Sequence, residues 1–342
     1  MSEDTNWGIV GHAWAVAQLR LAIAGDRLGH AYLFSGPRGL GKGLLALRLA
    51  QALNCERTPG EPCGTCRNCG RIARGNHPDL RIGGMAQQAA EAKGDDGAKR
   101  RDLGIDSVRA WQGDITLKPY EAHRRVFILD DAERLTDAAA NAMLKTLEEP
   151  PPYAVIILIA HTDGDLLPTI ASRCRVLRLR PVARPLISAA LLARGITADD
   201  ATTLAAWSRG RAGLAFDLAQ QPEQIEQRVA QIDDLAALGT RSRSERLKWA
   251  DERAKEFRAD PASVYQLIER WQEWWRDLLL TAAGSPAAVI NVDRSDELTR
   301  DARTLSLAQI HGALTQIALA ERRLRENVNP QLAFEAALLH LP

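Results

Sequence analysis

The sequence predicts an α/β protein: a domain built on a parallel sheet, followed by a region that is helical to its end. Three observations carry this. Short apolar runs alternate with amphipathic stretches as far as Pro181, the pattern of a parallel sheet with crossover helices. The stretch "LFSGPRGLGKGLLALRLA" (33–50) passes from a strand through a glycine-rich loop into a helix, as a phosphate-binding loop does. After Pro181 the strand pattern does not recur.

Taken in order, residues 9–24 are expected as a helix with Ile9, Val10, Trp14, Ala17 and Leu21 near one face. "AYLFSG" (31–36) is a short buried strand, and the helix after the loop carries Leu44, Leu45, Leu47, Leu49 and Leu53. "DLRIGG" is a second strand. Residues 85–102 are small and polar and read as a surface loop, with Lys99, Arg100 and Arg101 as solvated charge. A helix follows over about 105–116, then a third strand, "RVFILDD" (125–131). Residues 136–150 form a helix that Thr136 caps and Pro150 to Pro152 stop. "AVIILIAHT" is continuously apolar and β-branched, hence buried on both faces, and "RVLRLRPV" is a shorter fifth strand. Residues 186–220 read as small helices. From about 225 the chain is helical, with Leu267, Trp271, Trp274, Trp275 and Leu278 close to one side of a core or interface helix. The boundaries so drawn are 1–181 for the sheet domain, 182–224 for a small helical domain and 225–342 for a C-terminal helical domain.

At 342 residues the chain has material for two or three domains. Lysine and arginine total 44 against 43 acidic residues, so the net charge of +1 provides no bulk attraction for nucleic acid. No run of 18 apolar residues occurs, so no membrane span is expected. The start, "MSEDTNWGIVGHAWAV", lacks the basic and then apolar pattern of a secretion signal, so a cytoplasmic protein is expected. Four of the five cysteines cluster, which in a reducing compartment points to a metal rather than disulfides.

The glycine loop is the first constellation that could carry chemistry. Gly36, Gly39, Gly41 and Lys42 would converge backbone N–H groups and an ammonium on a phosphate. The hydroxyl that ligates Mg²⁺ in such loops is replaced by Gly43, which leaves the site short of a metal ligand. Asp130 ends the third strand, where an aspartate helps to hold Mg²⁺, and Asp131 stands where a glutamate polarises water. Two readings stay open here: a site of Gly36, Gly39, Gly41, Lys42, Gly43 and Asp130 that holds ATP or ADP, and a loop that keeps only its shape. The second constellation is Cys55-x7-Cys63-x2-Cys66-x2-Cys69, an insert (55–69) whose four thiolates suit a closed, structural Zn²⁺ site. Cys174 stands apart and reads as inert, and His77 in "GNHPD" reads as a turn residue rather than a fifth ligand. The third is Arg173 in "TIASRCRVLRL", between a helix and the last strand. That place suits first a surface salt bridge, since a lone arginine makes no motif, and only second an arginine offered to another subunit's γ-phosphate.

Together "HAYLFSGPRGLGKG", the insert ending "CGTCRNC", "GNHPDL", "TDAAANAMLKTLEEPP", "LPTIASRC" and "RENVNPQLAFEAALLHLP" make the chain resemble, along nearly its whole length, the bacterial clamp-loader subunits of the DNA polymerase III holoenzyme. The resemblance implies an AAA+ P-loop domain with a zinc insert, a helical lid and a C-terminal helical collar that joins subunits. The partners it implies are gamma/tau motor subunits and a delta subunit in a hetero-pentamer, with the sliding clamp and primer-template DNA reached through the complex. Three departures point to the stator branch of the family, delta-prime, rather than to the ATP-hydrolysing gamma/tau motor. They are Gly43, Asp131, and Gly213 in "GRAGLAFDLA" where the motor's lid carries a sensor arginine, a role for which the nearby Arg211 is the alternative. No ATPase activity of its own is then expected. The resemblance also implies that Arg173 is an arginine finger acting in trans on the adjacent motor's ATP site. The alternatives are a gamma/tau-like motor in which Lys42, Asp130 and Asp131 suffice, and a free-standing zinc-bearing DNA-binding module. Against the latter count the net charge of +1 and the lack of aromatics interleaved with basic residues around the cysteines.

Overall fold

The computed structural model describes residues 6–91 and 102–342; Lys99, Arg100 and Arg101 lie outside them. The chain divides into two compact units, Met1–Ala190 with Gly210–Leu214, and Leu191–Arg209 with Ala215–Pro342.

In the first unit β1 (Ala31–Ser35), β2 (Leu80–Gly83), β3 (Arg125–Leu129), β4 (Ala154–Ala160) and β5 (Arg175–Arg178) form one parallel sheet in the order β2-β3-β4-β1-β5. Every residue of β1, β3 and β4 is buried, as their unbroken apolar runs require of strands covered on both faces. The helices are α1 (Ala13–Ala24), α2 (Lys42–Asn54), α3 (Arg67–Ala73), α4 (Met85–Glu91), α5 (Ile105–Ile115), α6 (Asp137–Glu148) and α7 (Pro168–Ala171). One core layer joins Phe34, Ile128 and Ile157 of the sheet to Val16 and Leu19 of α1 and Leu45 and Leu49 of α2. The other joins Leu33, Phe127 and Leu158 to Val108 of α5 and to Met143 and Leu147 of α6. Thr136 caps α6 by accepting from the backbone N–H of Ala139, as expected. This is the α/β class that the sequence predicts.

Two local expectations fail. The first helix begins at Ala13, and its buried residues are Ala15, Val16 and Leu19, whereas Trp14 is 49% and Leu21 71% exposed. The reason lies just upstream. Gly11 and His12 both have positive φ, so Ile9 and Val10 lie outside the helix and their period does not run on into it. The second failure is in 85–102, expected as loop, where Met85–Glu91 is helical. Its alanine and glutamine content suits a helix as well as a loop.

The second unit is helical among its described residues: α8 (Arg184–Leu192) enters it, and α9 (Ala198–Trp207), α10 (Ala212–Gln220), α11 (Pro222–Ala237), α12 (Arg243–Ala259), α13 (Pro261–Ala282), α14 (Ser295–Thr304), α15 (Leu307–Arg325) and α16 (Pro330–Leu339) follow. Leu267, Trp271, Trp274, Trp275 and Leu278 are all buried, as their spacing predicts. Trp249 packs between Trp271 (5.6 Å between ring centroids) and Phe334 (5.9 Å).

The "GNHPDL" turn turns out to organise the entry to β3. Asp79 is 1% exposed, and its carboxylate accepts backbone N–H groups from Tyr120 (2.7 Å), Glu121 and Ala122 (both 2.9 Å). Burial works to raise its pKa, but the three N–H groups outweigh it and hold the carboxyl below its ordinary 3.8. Asp79→Asn, which loses one acceptor oxygen, should cost about 1–3 kcal/mol in urea unfolding at neutral pH. A depressed folded pKa lends stability that is present above 3.8 and lost as pH falls through the folded value, so the deficit of the variant should narrow in acid.

Candidate functional site

Parallel strands end on a common edge, where α/β proteins bind ligands. Here that edge carries Gly36 after β1, Asp130 after β3 and His161 after β4. At Gly36, with φ 143°, an added Cβ would lie 2.4 Å from the Leu179 carbonyl oxygen, so the loop can leave β1 this way only with glycine. Gly41 is the residue before α2, and Lys42 and Gly43 begin the helix. The loop is closed on itself. The Lys42 ammonium, 7% exposed, donates to the carbonyls of Gly36 and of Pro37 (2.8 Å). Burial lowers its pKa, and the nearby charges of Asp130 and Glu133 act the other way. Asp131 adopts φ 51° and its carboxylate is bound by Arg38 of the loop. Space around Gly43 is open: an added Cβ meets nothing within 4 Å. The missing hydroxyl is therefore not excluded by packing.

The position of the expected sensor arginine is different. The N–H of Gly213 donates to the Gly39 carbonyl oxygen at 2.7 Å, and a Cβ on Gly213 would sit 2.9 Å from that oxygen. A side chain at 213 would have to move the phosphate loop or be moved by it. Arg211 lies beside the same glycine, its Cβ 3.4 Å from where a Cβ of Gly39 would be. The sequence reading missed Arg38, Glu133 and His161. The His161 ring and the Glu133 carboxylate meet through Nδ1 at this edge, and only "DDAERL" gave a local signal for either.

Arg173 lies at the other edge. It follows α7 and precedes β5, and its N–H bonds the Ile170 carbonyl (3.1 Å). Its guanidinium donates to the Thr169 carbonyl (2.9 Å) and to the Glu148 carboxylate (2.6 Å). The next residue, Cys174, turns inward, and burial pushes its thiol up to about 12, in keeping with an inert cysteine.

The structure brings Cys55, Cys63, Cys66 and Cys69 together, with all four sulfurs within 4.8 Å of one another. Cys63 and Cys69 Sγ are 3.9 Å apart. Thiolates 2.3 Å from zinc at tetrahedral corners stand roughly 3.8 Å from each other, so the donor set fits a closed Zn²⁺ site. The sulfurs are also served by N–H groups: Thr58 to Cys55 (3.4 Å), Cys66 to Cys63 (3.3 Å) and Cys69 to Cys66 (3.4 Å). Burial opposes the Cys63 thiolate, yet the donors at Cys66 and Thr65 outweigh it and bring the thiol down to about 6, whereas burial raises the thiol of Cys69. His77 is not in this cluster. Its ring is buried, facing the Asn68 amide oxygen (3.3 Å) and accepting from the Asp79 N–H (3.1 Å). The four-cysteine insert is tied to α2 through Gln51, which donates to the Cys69 carbonyl (2.7 Å), and through the Asn68 amide, which donates to the Asn54 carbonyl (3.2 Å). The purified protein should carry one zinc per chain by atomic emission. Cys69→Ser should lose it and, because the end of α2 loses its support, melt at least about 5 °C lower by calorimetry.

A family model described as DNA polymerase III, delta subunit, matches residues 11–183, and another, described as its C-terminal part, matches residues 252–342. The chain is 29% identical to DNA polymerase III subunit delta' of Bacillus subtilis, over 94% of its own length and 93% of that protein. It is 37% identical to subunit delta' of Pseudomonas aeruginosa over 51% of this chain and 50% of that one. With DNA polymerase III subunit gamma/tau of Mycobacterium tuberculosis it shares 36% identity over 56% of this chain and only 32% of the relative, so it spans about a third of that protein. The end-to-end match and the two models agree: the chain belongs to the DNA polymerase III delta subunit family.

Proposed function

We propose that this chain is the stator, the delta-prime-type subunit, of a DNA polymerase III clamp loader, and that it completes an ATP site on an adjacent motor subunit with Arg173. The observation that carries the reading is where Arg173 stands. Arg175 pairs with Tyr32 in the parallel register, and the phosphate loop begins four residues beyond Tyr32, at Gly36. Four strand residues span about 13 Å, and Arg173 lies on the far side of that span. The guanidinium therefore stands well away from its own loop, and its side chain is 35% exposed, within reach of an anion outside the subunit. In that role it would meet the charge that develops on a transferring γ-phosphoryl group.

The loop itself supports a non-hydrolysing role. Lys42 is engaged by loop carbonyls, Gly43 offers no metal ligand, Arg38 occupies Asp131, and Gly213 takes the place of the sensor arginine. These four features also weigh against the motor reading, in which Lys42, Asp130 and Asp131 would have to run turnover. Residues 182–224 would serve as the lid and 225–342 as the collar that joins gamma/tau and delta subunits, with the clamp and primed DNA reached through the assembly.

Arg173→Ala in a reconstituted loader should lower DNA- and clamp-stimulated ATP turnover roughly 10³-fold at the affected site without altering subunit composition. Unchanged turnover would remove Arg173 from the mechanism. Gly43→Thr, which the open space accommodates, should leave the fold intact and strengthen Mg²⁺-dependent binding of a fluorescent ATP analogue to the isolated chain, without turnover.

A further inference from the structure

We propose that Glu148 is a positioning residue for Arg173, holding the guanidinium in one direction at the subunit edge before a neighbour's phosphate arrives. This rests on the reading of Arg173 as a finger in trans. The contact is direct: Arg173 Nη2 to Glu148 Oε1 is 2.6 Å, and Nη1 donates to the Thr169 carbonyl at 2.9 Å, with Ser172 Oγ at 3.5 Å. A guanidinium has five N–H donors in a rigid fork, so two firm bonds fix its plane and still leave donors for a second anion.

The two residues are mounted on rigid neighbours. Leu147, immediately before Glu148, is 1% exposed, and Ile170, in the turn that carries Arg173, is fully buried. Both belong to the core layer beneath α6 and α7, and Cys174 packs against it. Each partner of the ion pair is thus next to, or within one turn of, a side chain fixed in the core. A long arginine on a short loop would otherwise sample many rotamers, and ordering it on arrival of the neighbour would be part of the barrier.

Stability does not account for the pair. Its side chains are 35% and 50% exposed, and pairs so exposed contribute little to folding. Glu148 is also the last residue of α6, followed by Glu149, so two carboxylates sit at the negative end of a helix dipole. A sequence selected for helix stability alone would place a cation there. The arrangement makes sense if the carboxylate is needed where Arg173 can reach it.

The test uses the reconstituted loader with Glu148→Ala, Glu148→Gln, Arg173→Ala and the double variant, each checked for subunit composition and melting temperature. Glu148→Ala should lower kcat roughly ten- to a hundredfold with KM for ATP little changed, as misplacement of a group used in the transition state does. Glu148→Gln keeps an acceptor oxygen and should lose less. Because Glu148 acts through Arg173, the double variant should be no slower than Arg173→Ala alone. Loss with Arg173→Ala but full turnover with Glu148→Ala would overturn the positioning role and leave the finger standing. Faster turnover with Glu148→Gln would mean that Glu148 masks Arg173, which also overturns it. A double variant slower than Arg173→Ala would show that Glu148 acts elsewhere. No effect of Arg173→Ala would remove the finger and this role together.

Discussion

Five strands in one direction give the sheet two unlike ends, and the chemistry-bearing residues divide between them. Gly36, Asp130 and His161 follow strands and gather at one end; Glu148 and Arg173 precede strands and gather at the other. An antiparallel sheet would have mixed the two sets. Because the direction of β1 and β5 is shared, no small shift of a loop can bring Arg173 to its own Lys42. The subunit can therefore present a cation outward while its own loop is bonded internally, and the two arrangements do not compete.

Much of this was legible in the sequence. The strands were, because short apolar runs between amphipathic stretches, most plainly the β-branched "AVIILIA" of β4, suit burial between helices. The tryptophan stripe of α13 and the cysteine spacing were legible for the same reason: each follows a short-range period that local geometry enforces. The face of α1 was not, because positive φ at Gly11 and His12 resets the register and the helix, "AWAVAQLRLAIA", offers apolar residues on every side. The contacts that define the site were also out of reach. Lys42 turning back on its loop, Gly213 bonding Gly39, Asp79 gathering three N–H groups 41 to 43 residues away, and Glu148 meeting Arg173 across 25 residues all depend on which strands neighbour which. The motif "TIASRC" drew attention to Arg173, but nothing local pointed to its carboxylate partner, Glu148.

The four-cysteine insert and the Asp79 turn share a structural logic. Each uses side-chain acceptors, sulfur or carboxylate, to collect backbone N–H groups. The Asp79 turn lies where β2 and β3 begin, at the sheet end that carries Arg173. A rigid mount at that end is what a residue needs if it is to be placed by one subunit and used by another.

The close approach of Gly213 to Gly39 has an evolutionary consequence. Gly43 faces empty space, so a single codon change could introduce a hydroxyl there. Position 213 differs: the backbones of Gly213 and Gly39 meet, and the bond they share fills the room that a side chain would need. The second position works as a ratchet: with the gap closed, a side chain at 213 requires the loop and α10 to separate first. A lineage that passed this point would keep its phosphate loop as architecture long after selection for turnover had moved to a neighbouring chain.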